Sequence, residues 1–170
     1  MAASAVIEIV LFGPPRGKAR PRFRIIKARS GATFGSAYTD AQTRSYEANL
    51  TAAGVEAMAG RTPLEGPLAV VVQALMPIPA SWPRKRREAA LRQEIRPTGK
   101  PDTDNLAKCA GDALNGIVYR DDSQIVTLSI SKFYSDNPCL RVAVQVLDEN
   151  VTEPSQSIQN SSQVLGEMEQ

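Results

Sequence analysis

The sequence predicts an α+β fold: a single domain with a mixed β-sheet and packed helices. The chain has 170 residues, which suffices for one hydrophobic core but not for a second full domain. Its apolar residues make up 42% of the total, as in ordinary globular proteins. Strand and helix patterns follow one another without a regular βαβ alternation, which favours a mixed sheet over a parallel one.

The sequence of the N-terminal half predicts a long helix with one strand before it and one strand after it. Residues 6–12 alternate and are rich in β-branched side chains, which indicates a strand. Residues 13–24 are rich in Gly, Pro and Arg and are interpreted as a loop. Asp40 can cap a helix that runs to about Ala59. Residues 68–75 form a nearly continuous apolar run, which predicts a buried strand.

The C-terminal half predicts two helices and two further strands. Residues 84–94 indicate a short, strongly basic helix. Residues 104–115 place apolar side chains at i, i+3, i+4, i+7 and i+8, the spacing of an amphipathic helix. Residues 124–133 and 140–146 read as two strands joined by a turn at 136–138.

The charge distribution divides the chain into a basic body and an acidic tail. Residues 148–170 carry five acidic side chains and no basic one, which leaves 20 basic against 13 acidic side chains in residues 1–147. We expect residues 1–147 to form the domain and the Ser-, Gln- and Glu-rich tail to be disordered. The basic body suggests a polyanionic partner.

Composition excludes several classes of chemistry. The sequence has no histidine, so His-based acid–base catalysis, Ser-His-Asp triads and His-ligated metals are excluded. Cys109 and Cys139 are too few for a disulfide framework or a zinc-ligand set. Since we find neither a run of about 18 apolar residues nor a signal-peptide pattern, we expect a cytoplasmic protein without membrane spans.

Acidic residues cluster around the start of the predicted helix 104–115. Pro101 disfavours helix at the preceding residue, so Asp102 and Asp104 stand at a loop-to-helix junction. Asp104, Lys108 and Asp112 are spaced i, i+4 and i+8, which puts them on one polar face. The pair Asp121-Asp122 follows a short apolar segment, and a return of the chain would carry it back beside the helix start.

Clustered carboxylates repel each other unless a cation is present, and Mg²⁺ prefers such hard oxygen ligands. A metal there would activate water for phosphodiester hydrolysis, with Lys108 holding the scissile phosphate. Simpler interpretations stay open from spacing alone. Asp102 and Asp104 could be helix caps, Asp104–Lys108–Asp112 a solvated salt-bridge face, and Asp121-Asp122 a turn.

The residues around these aspartates, and a segment near the N-terminus, resemble the sequence of a known family. The stretch Lys-Pro-Asp-Thr-Asp-Asn-Leu-Ala-Lys, followed by Asp-Ala-Leu-Asn-Gly-Ile-Val-Tyr-Arg-Asp-Asp-Ser-Gln-Ile-Val, closely resembles the RusA family of Holliday junction resolvases. Residues 13–23 and Tyr38-Thr39-Asp40 resemble the opening of its phage and prophage members. The resemblance covers residues 6–147 and implies a homodimer that cuts four-way DNA by symmetric nicks with Mg²⁺ or Mn²⁺.

The resemblance also assigns roles residue by residue. Asp102, Asp104 and Asp122 match the family's catalytic, metal-binding aspartates, and Lys108 matches its catalytic lysine. Asp112 and Asp121 match acidic positions that support the site. Basic segments 16–29 and 84–100 are expected to line the branched DNA. The side chains expected on this surface are Lys18, Arg20, Arg22, Arg24, Arg84, Lys85, Arg86, Arg87 and Lys100.

Two alternatives to a nuclease remain from the sequence. The same basic patches would serve a non-catalytic DNA-binding protein, whose binding would survive loss of the carboxylates. A metal enzyme acting on small phosphates is the other, although the Gly-rich phosphate loop of NTPases is missing from the sequence.

Overall fold

A computed structural model describes residues 6–18, 22–27, 30–31, 33–38 and 40–147. The acidic tail predicted from Asp148 onward lies outside these ranges. The strands are β1 (Ile7–Phe12), β2 (Arg22–Lys27), β3 (Thr33–Tyr38), β4 (Leu68–Pro77), β5 (Ile125–Ser135) and β6 (Cys139–Val146). The helices are α1 (Ala41–Met58), α2 (Arg84–Leu91) and α3 (Thr103–Leu114). None of them is long and apolar enough to cross a membrane within the described residues.

Four strands form a mixed sheet in the order β1-β6-β4-β5. β4 runs parallel to β5, whereas β6 is antiparallel to both β4 and β1. β4 lies inside the sheet, and its residues Leu68–Ala74 are buried apart from Val71, as its continuous apolar sequence predicts. In β1, Ile7 and Ile9 are buried while Glu8 is exposed, so the alternating pattern is confirmed as a strand. The predicted α+β fold with a mixed sheet is therefore confirmed.

Helices α1 and α3 pack against each other on one face of the sheet, and the core lies between them and the strands. The apolar stripe of α3 is buried as its spacing predicts, including Leu106, Cys109 and Leu114. The two helices approach closely at Gly54. A Cβ built on Gly54 would stand 2.7 Å from Cδ2 of Leu114, so a side chain at this position would have to displace the buried Leu114 side chain.

The ends of α1 follow from local hydrogen bonding. Asp40 is the N-cap, and its carboxylate accepts from the Thr43 amide at 2.9 Å and from the Thr43 hydroxyl at 2.8 Å. The helix ends at Met58, and Ala59 and Gly60 both adopt positive φ, 46° and 79°. The predicted start and end of this helix are both confirmed to within a residue.

The prediction of a loop over residues 13–24 was wrong at its C-terminal end. Residues 22–27 pair with residues 33–38 in an antiparallel hairpin that forms a two-stranded sheet of its own. The strand begins at Arg22, directly after the Gly- and Pro-rich segment, and contains the run Phe23-Arg24-Ile25-Ile26. The preceding breakers and cations obscured this β-branched and aromatic run.

The predicted turn at residues 136–138 joins β5 to β6, but the two strands are not neighbours. β4 lies between them and pairs with both. The short connection therefore crosses the end of β4. This arrangement makes β5 a partner of β4 alone within the sheet and leaves its helix-facing side beside α3.

Candidate active site

The N-terminus of α3 carries the first predicted site residue. Asp102 occupies the N-cap position in an extended conformation, but its carboxylate makes no capping hydrogen bond. It lines a cleft between the loop 15–18, the start of α1 and the segment Lys100–Pro101, which we call the Asp102 cleft. A simple capping role is thus not what the Asp102 side chain performs.

A second cleft runs along the polar face of α3, and we call it the α3 cleft. Asp104, Lys108 and Asp112 line it from the helix, as the spacing i, i+4, i+8 predicts. Asp122 lines it from the opposite side, next to the apolar side chains of β5. The complete lining is Thr103, Asp104, Ala107, Lys108, Gly111, Asp112, Asp122, Ile125, Leu128 and Ile130.

A tight turn after α3 returns the chain to this cleft. Gly116, with φ of 73°, allows its amide to donate to the Tyr119 carbonyl at 2.8 Å. Tyr119 is buried, and its hydroxyl donates to the Gly111 carbonyl of α3 at 3.0 Å. Burial raises the pKa of Tyr119, and the carboxylates of Asp122 and Asp112 raise it further. The tyrosine therefore remains a neutral donor that ties the returning chain to the helix.

The adjacent aspartates 121 and 122 differ in what their side chains do. Asp121 caps a short 3-10 turn: its carboxylate accepts from the Ser123 amide at 2.9 Å, and the Gln124 side chain accepts from the Asp121 amide at 3.0 Å. Hydrogen bonds from the side chain and the amide of Ser123 lower the pKa of Asp121. Asp122 lines the α3 cleft, whereas the Asp121 carboxylate accepts a hydrogen bond from the neighbouring backbone.

Asp112 is paired with a lysine from outside the helix. The Lys18 ammonium donates to the Asp112 carboxylate and lies 3.5 Å from Glu47 of α1. The hydrogen bond to Asp112 raises the pKa of Lys18. Lys18, predicted to contact DNA, is thus engaged in ion pairs within the protein.

The alternative of a salt-bridged face on α3 is not realised. In the parts of the chain that the structure describes, Lys108 forms no ion pair with Asp104 or Asp112. The carboxylates of Asp102, Asp104 and Asp122 likewise have no Lys or Arg partner among those residues. In the described part of the chain, no protein cation neutralises the carboxylates of these three aspartates.

The same residues do not by themselves enclose a metal. Within residues 40–147 and the shorter described segments before them, no three acidic or cysteine side chains are grouped closely enough to hold an ion. Three carboxylates line the α3 cleft, and since Lys18 pairs with Asp112, Asp104 and Asp122 are the two that could hold an ion there. Mg²⁺ fits such a donor set, because it is commonly held by one or two carboxylates together with waters and substrate phosphate.

Sequence reasoning missed a lysine that fixes the loop before Asp102. Lys132 of β5 donates to the carbonyl of Gly99 at 2.8 Å and to that of Pro101 at 3.0 Å. Alternation along β5 puts Lys132 on the same side as Leu128 and Ile130, which line the α3 cleft. A lysine at an inward position of a strand was the available signal.

A second fixing contact comes from Gly17. A Cβ built there would lie 2.8 Å from Cβ of Asn105 and 2.9 Å from Cβ of Pro101. The next amide, that of Lys18, donates to the Asn105 carbonyl at 2.9 Å. Only glycine permits this approach, so the loop 15–18 lies directly against the start of α3.

Comparison with known proteins identifies the family to which this site belongs. The family model described as "Endodeoxyribonuclease RusA" matches residues 13–146, a range that contains both clefts. The chain belongs to the RusA endodeoxyribonuclease family. It is also 35% identical over 141 residues to "Uncharacterized protein YqaN" of Bacillus subtilis (strain 168), covering 82% of this chain and 95% of that protein. The resemblance stated from the sequence is confirmed, and with it a nuclease acting on DNA.

Where their side chains are described, the basic residues predicted to face DNA in this RusA-family nuclease lie on α2 and at the Asp102 cleft. On α2, Arg84 pairs with Glu88, Arg87 pairs with Asp136, and the Arg86 guanidinium lies 3.9 Å from the centre of the Trp82 ring. Lys85 forms no ion pair among the described residues. Lys100 lines the Asp102 cleft. Arg20 lies outside the described residues, as do the side chains of Arg22 and Arg24.

Proposed function

We propose that this RusA-family protein is a Mg²⁺-dependent endonuclease that resolves four-way DNA junctions in recombination and repair. The observation that carries the proposal is the α3 cleft, which Lys108 lines together with two carboxylates, Asp104 and Asp122, that have no cationic partner among the described residues. Family membership supplies the substrate, DNA, and the reaction class, phosphodiester hydrolysis. Because its substrate is cellular DNA, we expect it to act in the cytoplasm.

Asp104 and Asp122 would hold the metal, and the resemblance adds Asp102, at the N-cap two residues before Asp104. When bound, Mg²⁺ supplies a Lewis acid that activates water and stabilises charge on the departing 3′ oxygen, and Mn²⁺ is expected to substitute. All the remaining roles fall to side chains of this protein.

Lys108 is suited to bind the scissile phosphate, because its ammonium lines the cleft and is not neutralised by a neighbouring carboxylate among the described residues. The apolar side chains of Ile125, Leu128 and Ile130 form part of the cleft wall and limit the water that competes for the phosphate. Asp112 is held by Lys18, so it shapes the local field rather than binding the metal.

Symmetric cutting of a junction needs two equivalent centres, which an isologous homodimer supplies. We propose that each protomer brings one α3 cleft to one of two opposed strands. The basic side chains of α2, together with those of residues 16–29, would contact phosphates, so that binding weakens steeply as salt is raised.

The test compares Asp122→Asn with Asp121→Asn on a synthetic four-way junction and a linear duplex of the same sequence. Asp121→Asn is the matched control, since asparagine also caps a helical turn and the residue does not line the cleft. We expect wild type and the control to nick the junction with Mg²⁺ and to leave the duplex intact.

Asp122→Asn and Asp102→Asn should bind the junction and cut it at least 100-fold more slowly, on the order expected for loss of a catalytic group. Chelation of the metal with EDTA should abolish nicking by wild type without abolishing binding. Equal cleavage of junction and duplex, or full activity of both variants, would contradict the proposal. Binding without nicks under any metal condition would indicate the non-catalytic DNA-binding protein instead.

A further inference from the structure

The β2–β3 hairpin is not used by the chemistry proposed for the clefts. Its two strands pair only with each other and make no extensive contact with another helix or strand in the described part of the chain. A two-stranded ribbon of this kind gains little stability from within. The hairpin is thus an arm of the domain whose side chains need another partner.

The arm exposes large apolar side chains. Ile25 retains 71% of its accessible surface and Phe34 retains 60%. In the strand register Ile25 lies opposite Gly35, and a Cβ built on Gly35 would meet nothing within 4 Å. The residue directly opposite Ile25 therefore contributes no side chain that could cover it.

The register places these two residues on opposite faces of the arm. Phe34 pairs with Ile26, the neighbour of Ile25 along the strand. Paired residues of antiparallel strands share a face, and consecutive residues point to opposite faces. The hairpin consequently presents Ile25 on one side and Phe34 on the other, which is the arrangement of a wedge.

Charge indicates what such a wedge meets. Between Glu8 and Asp40 the sequence contains seven basic residues and no acidic one. A partner for this arm must tolerate a dense positive charge and also offer apolar faces. Nucleic acid does both, since its phosphates attract the cations and its bases accept apolar side chains where stacking is interrupted.

The position of the arm connects it to the proposed active site. Lys18, before the hairpin, and Asp40, after it, both line the Asp102 cleft. Gly17 fixes the arm's base against Pro101 and Asn105 at the start of α3. A DNA strand that enters the clefts therefore passes beside the arm.

We propose that the β2–β3 hairpin inserts Ile25 and Phe34 between base pairs at the branch point of a four-way junction. This inference rests on the proposed function, which supplies the junction as substrate. Bases in a continuous duplex are stacked, whereas the branch point interrupts the stack and lowers the free-energy cost of insertion. The arm would accordingly select branched over linear DNA, while the basic residues bind both.

The experiment uses the double variant Ile25→Ser/Phe34→Ser with Val55→Ser as control, because Val55 is an exposed apolar residue on α1, 54% accessible. Junctions carry 2-aminopurine at the branch point, and binding is measured with Ca²⁺ in place of Mg²⁺. We expect wild type and the control to raise the 2-aminopurine fluorescence as bases unstack. The double variant should leave it unchanged at saturating protein.

Junction affinity of the double variant should fall roughly tenfold, as for loss of an aromatic base-stacking contact. Its duplex affinity should stay within about twofold and its salt dependence unchanged, because no phosphate contact is removed. Phe34→Tyr should retain the fluorescence signal. Arg22→Gln/Arg24→Gln should weaken junction and duplex binding alike and flatten the salt dependence.

Unchanged junction affinity and fluorescence in the double variant, while wild type nicks junctions, would overturn the wedge and leave the proposed function standing. If the double variant loses self-association in sedimentation, the arm binds a second copy of the chain, and the wedge is again overturned. Absence of junction preference and nicking in wild type would instead overturn the proposed function.

Discussion

Replacement of Lys132 by methionine tests whether the loop before Asp102 must be held for catalysis. Methionine keeps the aliphatic length of the side chain and removes the ammonium that donates to Gly99 and Pro101. A hydrogen bond to a charged group contributes about 1.5–3 kcal/mol, and water can replace the lysine at the more exposed Gly99 carbonyl. We therefore expect the two hydrogen bonds of Lys132 together to stabilise the ordered loop by about 2 kcal/mol.

If this free energy is needed to position Asp102, its loss appears in the rate. Because about 1.4 kcal/mol corresponds to a factor of ten, Lys132→Met should lower single-turnover junction cleavage roughly 30-fold. Junction binding with Ca²⁺ should change by less than about threefold, on the order of one lost weak contact. Lys132→Arg, which keeps donors and charge, should recover part of the rate.

The control is Ser129→Met, a substitution on the opposite face of the same strand, where alternation directs the side chain away from the α3 cleft. Cleavage by Lys132→Met at the wild-type rate, with a lowered melting temperature, would refute the positioning argument. The lysine would then only stabilise the fold. A loss of rate in Ser129→Met of the same size would refute it equally.

Four further predictions concern packing, alkaline pH, thiol reactivity and salt. Gly54→Ala should destabilise the fold by about 1 kcal/mol despite the better helix propensity of alanine, because its Cβ would collide with the Leu114 side chain. Gly111→Ala, whose Cβ would lie in open space, should stabilise the fold by up to about 1 kcal/mol. Thermal unfolding measures both. Burial raises the pKa of Cys109 from 9.0 to about 12. Above pH 9 this thiol therefore ionises in the unfolded chain but not in the folded protein, and stability should fall as the pH rises. A constant unfolding midpoint between about pH 8 and 10 would contradict this. Neither Cys109 nor Cys139, both buried, should react with a thiol reagent before unfolding. Lys85→Gln should weaken binding to junction and duplex equally and reduce the slope against salt by about 0.9, which titration at several salt concentrations measures.

Periodicity and local signals in the sequence were enough to predict the helices and the return of the chain to α3. The polar face of α3 and its buried stripe follow from the 3.6-residue repeat, and the helix start at Asp40 follows from a single capping residue. The return that brings Asp122 to α3 was expected from the short apolar segment before Asp121. These features depend on neighbours in the chain, which is why the pattern sufficed.

The remaining features depend on contacts between distant segments. Lys18 and Asp112 are separated by 94 positions, so no spacing rule links them. Lys132 and the Gly99 carbonyl meet only because β5 runs parallel to β4 and brings its middle beside the loop before α3. The hairpin was missed because its strands gain no pattern from a core: Ile25 and Phe34 are exposed.

The order of the central sheet determines when during synthesis the enzyme becomes competent. β1, near the N-terminus, joins the sheet only through β6, where Ile7 pairs with Val144. Until β6 has left the ribosome, β1 has no strand to pair with among those that the structure describes, and the edge of β4 that β6 will cover is open. Contacts of such long sequence separation form late. A nascent chain that already displays every acidic residue of the clefts therefore lacks the sheet that holds them in place until β6 has been made.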